Sequence, residues 1–249
     1  MAATFVGVDW SGESWLAVAF DGEGYDHTEV FSEIGELWQQ YEEREPRILV
    51  NIPIGLIESG AESRRCDELA RSVLGPLQST VLTPPAREAT RKRRYPAAKR
   101  VNERKTGSKL SKAAFAISDK IAAVDDLLRN VPEARTAFRE SHSEICFRAL
   151  AGEPLQYSKR KAGGYAERMR VLASHDADAP PVVQAVAEAT GGANVAIDDV
   201  IDAVVLAYTA RPASAPLRSL PAEPPTDNQG LPMEIVYRAP EPLVGESTE

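Results

Sequence analysis

Thr4-Phe5-Val6-Gly7-Val8-Asp9-Trp10-Ser11-Gly12 is the stretch on which the fold turns. It reads as a short strand with apolar residues on both faces, Val6 and Val8 opposite Phe5 and Gly7, closed by a turn at Gly12. A strand covered on both sides belongs in the middle of a sheet. Its C-terminal end carries one carboxylate, Asp9. Strand ends are favoured site positions in α/β folds, so Asp9 is expected to be the first ligand of a metal-dependent site. Asp and Ser are also common turn residues, so the same residues would serve a plain turn.

Outward from this strand, Trp15 to Phe20 and Tyr25 to Phe31 read as two more strands of an antiparallel meander, joined through the turn Asp21-Gly22-Glu23-Gly24. Residues 33–43 carry Ile34, Leu37, Trp38 and Tyr41 on one helical stripe. Arg47 to Ile52 is a fourth strand, ended by Pro53. A strand, a helix and a strand in succession predict a crossover and a parallel pairing. Further helices are expected at 63–73, from Ser111 to about Asn130, at 160–173, at 180–190 and from Val195 to Arg211. A fifth strand is expected at about Ala137 to Ser141. The last 39 residues hold 8 of the 18 prolines and read as an extended wrap with one strand at Met233 to Tyr237. One domain over 1–240, with a helical, basic insertion at 57–130 and a flexible tail at 241–249, is the organisation expected.

The chain has 249 residues, a net charge of −8 and 27% charged residues, ordinary for a globular protein with a proper core. Two cysteines, Cys66 and Cys146, make neither a disulfide framework nor a zinc motif. No signal peptide and no apolar run near ~20 residues is evident, and a cytoplasmic location is expected. Charge is unevenly spread. Between Arg87 and Lys112 there are 11 lysines and arginines against 2 glutamates, which leaves the rest of the chain at −17. Such a polarised segment suits a phosphate backbone. Arg87, Arg91, Lys92, Arg93, Arg94, Lys99, Arg100 and Lys109 are its candidate contacts, with Tyr95 to stack on a base. A solvated insertion paired with the protein's own acids would give the same pattern.

Two acidic groups could carry chemistry. Ile197-Asp198-Asp199-Val200-Ile201-Asp202-Ala203 puts Asp198 and Asp202 four apart and Asp199 and Asp202 three apart on a helix. Like charges there repel, and Asp202 lies beside Val205 and Leu206. A divalent metal would resolve both problems, although Asp198 and Asp199 would also suit the positive end of a helix. Glu140, His142 and Glu144 would share one face of a strand as a metal-binding or acid–base group, or as the polar face of an edge strand.

Several of these motifs together resemble a known family. They are Gly7-Val-Asp9-Trp-Ser-Gly12, Ile52-Pro-Ile-Gly-Leu56 with Arg64-Arg-Cys-Asp67, Pro85-Ala-Arg87, Asn102, Leu110-Ser111 followed by Phe115, Ile117 and Lys120, Glu140-Ser-His-Ser-Glu-Ile-Cys-Phe147, and Asp199-Val-Ile-Asp202-Ala203. Over residues 4 to about 238 the chain resembles the domain-of-unknown-function family 429, described as predicted nucleases of the RNase H-like fold. The resemblance implies an α/β RNase H-like domain in which Asp9 bridges two Mg²⁺ or Mn²⁺ ions. Asp199 and Asp202 would be the last-helix ligands, and a nucleic-acid phosphodiester would be hydrolysed. It also implies an aspartate where Asn51 stands. The amide oxygen of Asn51 can coordinate but adds no charge, and Glu140 or Glu144 would compensate. Ser143 stands where a proline is usual. A nucleic-acid-binding module without catalysis is the alternative. A phosphotransferase or ATPase of the same fold ranks below it, because Ile54-Gly55-Leu56 is a poor phosphate loop.

Overall fold

The computed structural model describes residues 3–245. Strands β1 (Phe5–Ser11), β2 (Ser14–Phe20) and β3 (Tyr25–Phe31) form the antiparallel meander, and helix α1 (Ile34–Tyr41) leads to β4 (Arg47–Val50). Then come α2 (Arg65–Val73), α3 (Arg87–Thr90), α4 (Tyr95–Thr106), α5 (Lys112–Ala116), α6 (Ser118–Asn130) and α7 (Pro132–Ala137). Strand β5 (Phe138–Glu140) is followed by α8 (Ser143–Ala151), α9 (Ala162–His175), α10 (Ala179–Ala189) and α11 (Ile197–Ala210). A small antiparallel pair, β6 (Leu217–Leu220) and β7 (Ile235–Arg238), closes the described chain.

The main sheet has the order β3-β2-β1-β4-β5. Strand β1 is central, antiparallel to β2 and parallel to β4, and β4 is parallel to β5. The period of two explains the layers. Val6 and Val8 pack with Ile48, Val50, the α1 stripe of Leu37, Trp38 and Tyr41, and Ile121, Val124 and Leu128 of α6. Phe5, Leu16, Val18 and Leu49 face the other way, onto α2, α8, α10 and α11.

Four expectations need correction. The segment 57–130 is not wholly an appendage. Helices α2 and α6 each supply a core layer, because a parallel β4–β5 pairing needs a crossover that covers the sheet. Only α3, α4 and α5 stand apart, on small clusters of their own. The single helix expected from Ser111 to Asn130 is two helices. Ser111 caps the first by accepting from the Ala114 N–H at 3.0 Å, and the chain breaks at Ile117. The tail expected at 241–249 is docked as far as it is described. Val244 is buried in the core, and the Leu243 N–H donates to the Tyr237 hydroxyl at 3.0 Å. Residues 246–249 lie outside the described residues. Strand β6 was not expected; it pairs with β7, and Ser141 bridges to Val236 to carry that pair onto the end of β5.

Among the described residues no helix is long and apolar enough to cross a membrane.

Candidate active site

Gly7, Asp9 and Ser11 alternate onto one face of β1, the face on which α11 lies. Gly7 decides how closely it lies. A Cβ there would meet the Ala203 carbonyl oxygen at 2.1 Å and the Ala207 nitrogen at 2.3 Å. Backbone thus sits on backbone, and the next two side chains along the strand meet the first turns of the helix. Asp9 and Asp202 line the same cleft, close enough for the Asp202 charge to act on Asp9, and the Ser11 hydroxyl donates to Asp199 Oδ2 at 2.6 Å. The same Ser11 oxygen accepts from the Ala196 N–H at 3.2 Å, which fixes the entry to the helix.

Asp9 is 5% exposed and Asp202 is 0% exposed. Burial pushes the Asp9 carboxyl well above the usual carboxylate range, and the Asp202 charge across from it pushes the same way. Lys159 and the Asn51 amide oppose them, Asn51 Nδ2 donating to Asp9 Oδ1 at 3.1 Å. Asp202 is likewise raised by burial and lowered by Lys159, whose ammonium bonds Asp202 Oδ2 directly. That ammonium also lies 4.0 Å from both Asp198 Oδ2 and Asp199 Oδ1. Asp199 is raised by burial, and its bond from Ser11 holds it down. Among the described residues Asp202 Oδ1 has no partner within hydrogen-bond geometry, and Ser143 lies near enough to hold the carboxylate's pKa down.

These groups line a cleft of about 470 Å³ at the C-terminal ends of β1 and β4, together with Asn51, Asp67, Glu140, His142, Glu144 and Lys159. Glu140, His142 and Glu144 do not share a strand face, which corrects the reading made from spacing. Strand β5 ends at Glu140 and α8 starts at Ser143, so Glu144 sits in a first helical turn. Both glutamates are buried and already paired. Arg168 Nη2 donates to both Glu144 oxygens at 2.6 Å. Arg64 bonds Glu140 and lies 3.2 Å from Asp67, while the Ile54 N–H donates to Glu140 at 2.6 Å. Two carboxylates share one guanidinium away from water, and burial pushes Glu140 up to about 8. These pairings leave Glu140 and Glu144 holding arginines rather than making good the charge missing at Asn51. His142 is half-buried in the cleft wall; burial lowers its pKa, and Nδ1 has no partner.

The basic segment splits into two parts. Arg87 is 5% exposed, bonds Glu58 and Asp227, and donates Nε to Asp125 Oδ1 at 3.1 Å. Its donors are spent inside the protein, so the expectation of a phosphate contact from Arg87 is corrected. Arg91 bonds Asp125 at 2.8 Å and Asp126 as well. The Tyr95 hydroxyl donates to the Leu110 carbonyl at 2.8 Å and its ring packs edge-on against Phe115, which removes it as a free stacking platform. Lys92 and Lys99 make only long pairs one helical turn away, to Glu88 at 3.5 Å and Glu103 at 3.8 Å. Arg93, Arg94, Arg100 and Lys109 are exposed and form no ion pair among the described residues.

The carboxylates of Asp9, Asp199 and Asp202 offer oxygen, the ligand that hard divalent cations take, while the Asn51 amide and the Lys159 ammonium turn nitrogen towards them. Among the described residues no three His, Cys, Asp or Glu side chains are gathered closely enough to hold a metal ion as they stand. Asp9 and Asp202, with the unpartnered Asp202 Oδ1 in the cleft wall, fit one Mg²⁺ or Mn²⁺ through two carboxylates, since Mg²⁺ keeps water and phosphate for the rest of its shell. Asp199 lies in the same cleft, held by Ser11 and 4.0 Å from the Lys159 ammonium.

Spacing in the sequence did not reveal Lys159. It stands in the run Ser158-Lys159-Arg160-Lys161, which has the pattern of a solvated loop. Arg64 and Arg168, both at or below 1% exposure, were equally hidden. The one available signal was arithmetic: buried acids at 140, 144 and 202 require buried bases.

A family model described as a protein of unknown function (DUF429) matches residues 7–226. No curated protein and no solved structure matches the chain.

Proposed function

We propose that this chain, which belongs to the DUF429 family of proteins of unknown function, is a divalent-metal-dependent nuclease of RNase H-like architecture. The strand order β3-β2-β1-β4-β5, with an antiparallel meander and two parallel strands, supports that architecture. The observation that carries the activity is that buried Asp9 and buried Asp202 line one open cleft close enough for their charges to interact, on a strand and a helix in direct backbone contact at Gly7. Two buried carboxylates, each raised by burial and one raised further by the charge of the other, are poorly explained by stability alone.

Asp9 and Asp202 would hold the ion, with Asp199 beside them. When bound, such an ion polarises a phosphodiester oxygen and lowers the pKa of a water molecule. The protein's own groups do the rest. Asn51 fixes one oxygen of Asp9, and Ser11 fixes one of Asp199. His142, kept neutral by burial, has Nε2 against the Thr80 carbonyl, so its proton sits there and Nδ1 can take a proton. Arg93, Arg94, Arg100 and Lys109 would hold the nucleic-acid backbone by charge.

The test is cleavage of single- and double-stranded DNA and RNA by purified protein in Mg²⁺ or Mn²⁺. Asp9→Asn should abolish it, and equal activity in the variant would remove the proposal. The alternative, a nucleic-acid-binding module without catalysis, is favoured by one observation: Asn51 supplies a neutral amide where a charge would help the metal. It predicts salt-sensitive binding with no cleavage under any divalent ion.

A further inference from the structure

We propose that the Lys159 ammonium is a built-in cation of the carboxylate site, so that the folded protein takes up one divalent ion and not two. The inference rests on the reading of the cleft as a metal site.

Three observations carry it. The first is where the ammonium lies. It bonds Asp202 Oδ2 and is 4.0 Å from an oxygen of Asp199, both in the cleft where an ion would sit, and it is 4.0 Å from Asp198 at the cleft's edge. Its side chain is only 23% exposed.

The second is how it is held. The backbone on both sides of Lys159 is fixed by α9. Glu167 accepts from the Gln156 N–H at 2.9 Å and the Tyr157 N–H at 3.1 Å. Arg168 Nη1 donates to the Tyr157 carbonyl at 3.0 Å, and the same guanidinium is locked by Glu144. A Cβ on Gly164 would lie 2.0 Å from the Ser158 carbonyl oxygen, so this loop rests on the helix at a distance only glycine permits. The Lys161 N–H donates to the Ser158 carbonyl at 3.0 Å and closes the turn around Lys159. A lysine that merely drifted towards acids would not need its loop fastened at so many points.

The third is what Asp9 has left to offer. A carboxylate that bridges two ions gives an oxygen to each. Asp9 Oδ1 already accepts an N–H from Asn51, and Asn51 turns its donor, not its acceptor, towards the site. Charge agrees with this. Asp9, Asp199 and Asp202 in their ionised forms are balanced by one ammonium and one divalent ion. A second ion would leave these groups with a net positive charge before any substrate arrives. Asp202 then divides its work: Oδ2 holds Lys159, and the unpartnered Oδ1 is left for the metal.

The experiment is a calorimetric titration of the full chain with Mn²⁺, read as stoichiometry, with the spectrum of bound Mn²⁺ by electron paramagnetic resonance. Wild type should bind one equivalent with the signal of an isolated ion. Lys159→Met combined with Asn51→Asp, which removes the ammonium and frees Asp9 Oδ1, should bind two when folded by circular dichroism, with the spin coupling of ions about 4 Å apart, whereas Asn51→Asp alone should still bind one. Two equivalents in wild type or in Asn51→Asp, or one in the folded double variant, would overturn the proposal while leaving the metal site standing. No binding by any of these proteins would overturn both readings. Should the double variant not fold, the stoichiometry of wild type and of Asn51→Asp decides: one in each supports the proposal and two in either ends it.

Discussion

Replacing Gly7 by alanine tests how the site is assembled, independently of what it binds. The added methyl would sit 2.1 Å from the Ala203 carbonyl oxygen and 2.3 Å from the Ala207 nitrogen, where ordinary contact begins at 3.4 Å. Neither atom belongs to a flexible side chain, so α11 must move off β1 by roughly 1 Å, an overpacking that costs about 1–3 kcal/mol. For a chain of this length that is a fall in Tm of roughly 2–12 °C. The same shift separates Asp202 from Asp9, and a displacement of about 1 Å at a reacting site can lower a rate on the order of 100-fold. Thermal unfolding, Mn²⁺ affinity and cleavage should be measured on the same preparations. Gly35→Ala is the control: it lies in α1 with nothing within 4 Å of a new Cβ, and it should be neutral or slightly stabilising. Gly7→Ala with unchanged Tm and unchanged Mn²⁺ affinity would refute the claim that direct backbone contact sets the site.

Glu140 has a raised pKa in the folded state, so the stability it contributes is fully present below about 4.5 and is lost as pH rises through about 8. Unfolding free energy measured against pH should therefore fall across that window, and Glu140→Gln should flatten the slope; an unchanged slope would mean that Arg64 keeps Glu140 ionised throughout. Arg168→Met leaves the buried Glu144 carboxylate unpaired and should destabilise the protein by about 3–5 kcal/mol in denaturant titrations. Adding Glu144→Leu should recover much of that loss, and a double variant as unstable as the single one would count against the pair. Alanine at Arg93, Arg94, Arg100 and Lys109 together should weaken nucleic-acid binding and reduce its salt slope, by up to about 0.9 per lost phosphate contact on duplex DNA. Arg87→Ala should instead lower Tm, because three carboxylates converge on its guanidinium.

How much was legible can be followed along β1. Alternation over Phe5 to Ser11 marked a strand covered on both faces, and it stands at the centre of the sheet. The same alternation put Gly7, Asp9 and Ser11 on one side, and the three- and four-residue spacing of Asp198, Asp199 and Asp202 put them on one side of α11. The local period failed at 140–144. A strand and a helix both accommodate Glu-Ser-His-Ser-Glu; in the fold β5 ends at Glu140, Ser141 bridges to Val236, 95 residues away, and α8 begins at Ser143.

Sequence alone determined the elements, their faces and the end of the central strand at which the acids gather, because those follow from periods of two and 3.6 residues and from residues that stop a chain. It could not assign partners to the buried charges. Arg64 reaches Glu140 across 76 positions, Lys159 reaches Asp202 across 43, and Arg87 reaches Asp227 across 140. Each match depends on where the packed chain brings two side chains in the absence of water, which no spacing records. So the place of Asp9, at the end of a strand covered on both faces, was readable from the sequence. That a lysine would answer its neighbours' charge was decided when α9 fastened the loop carrying Lys159 close to α11.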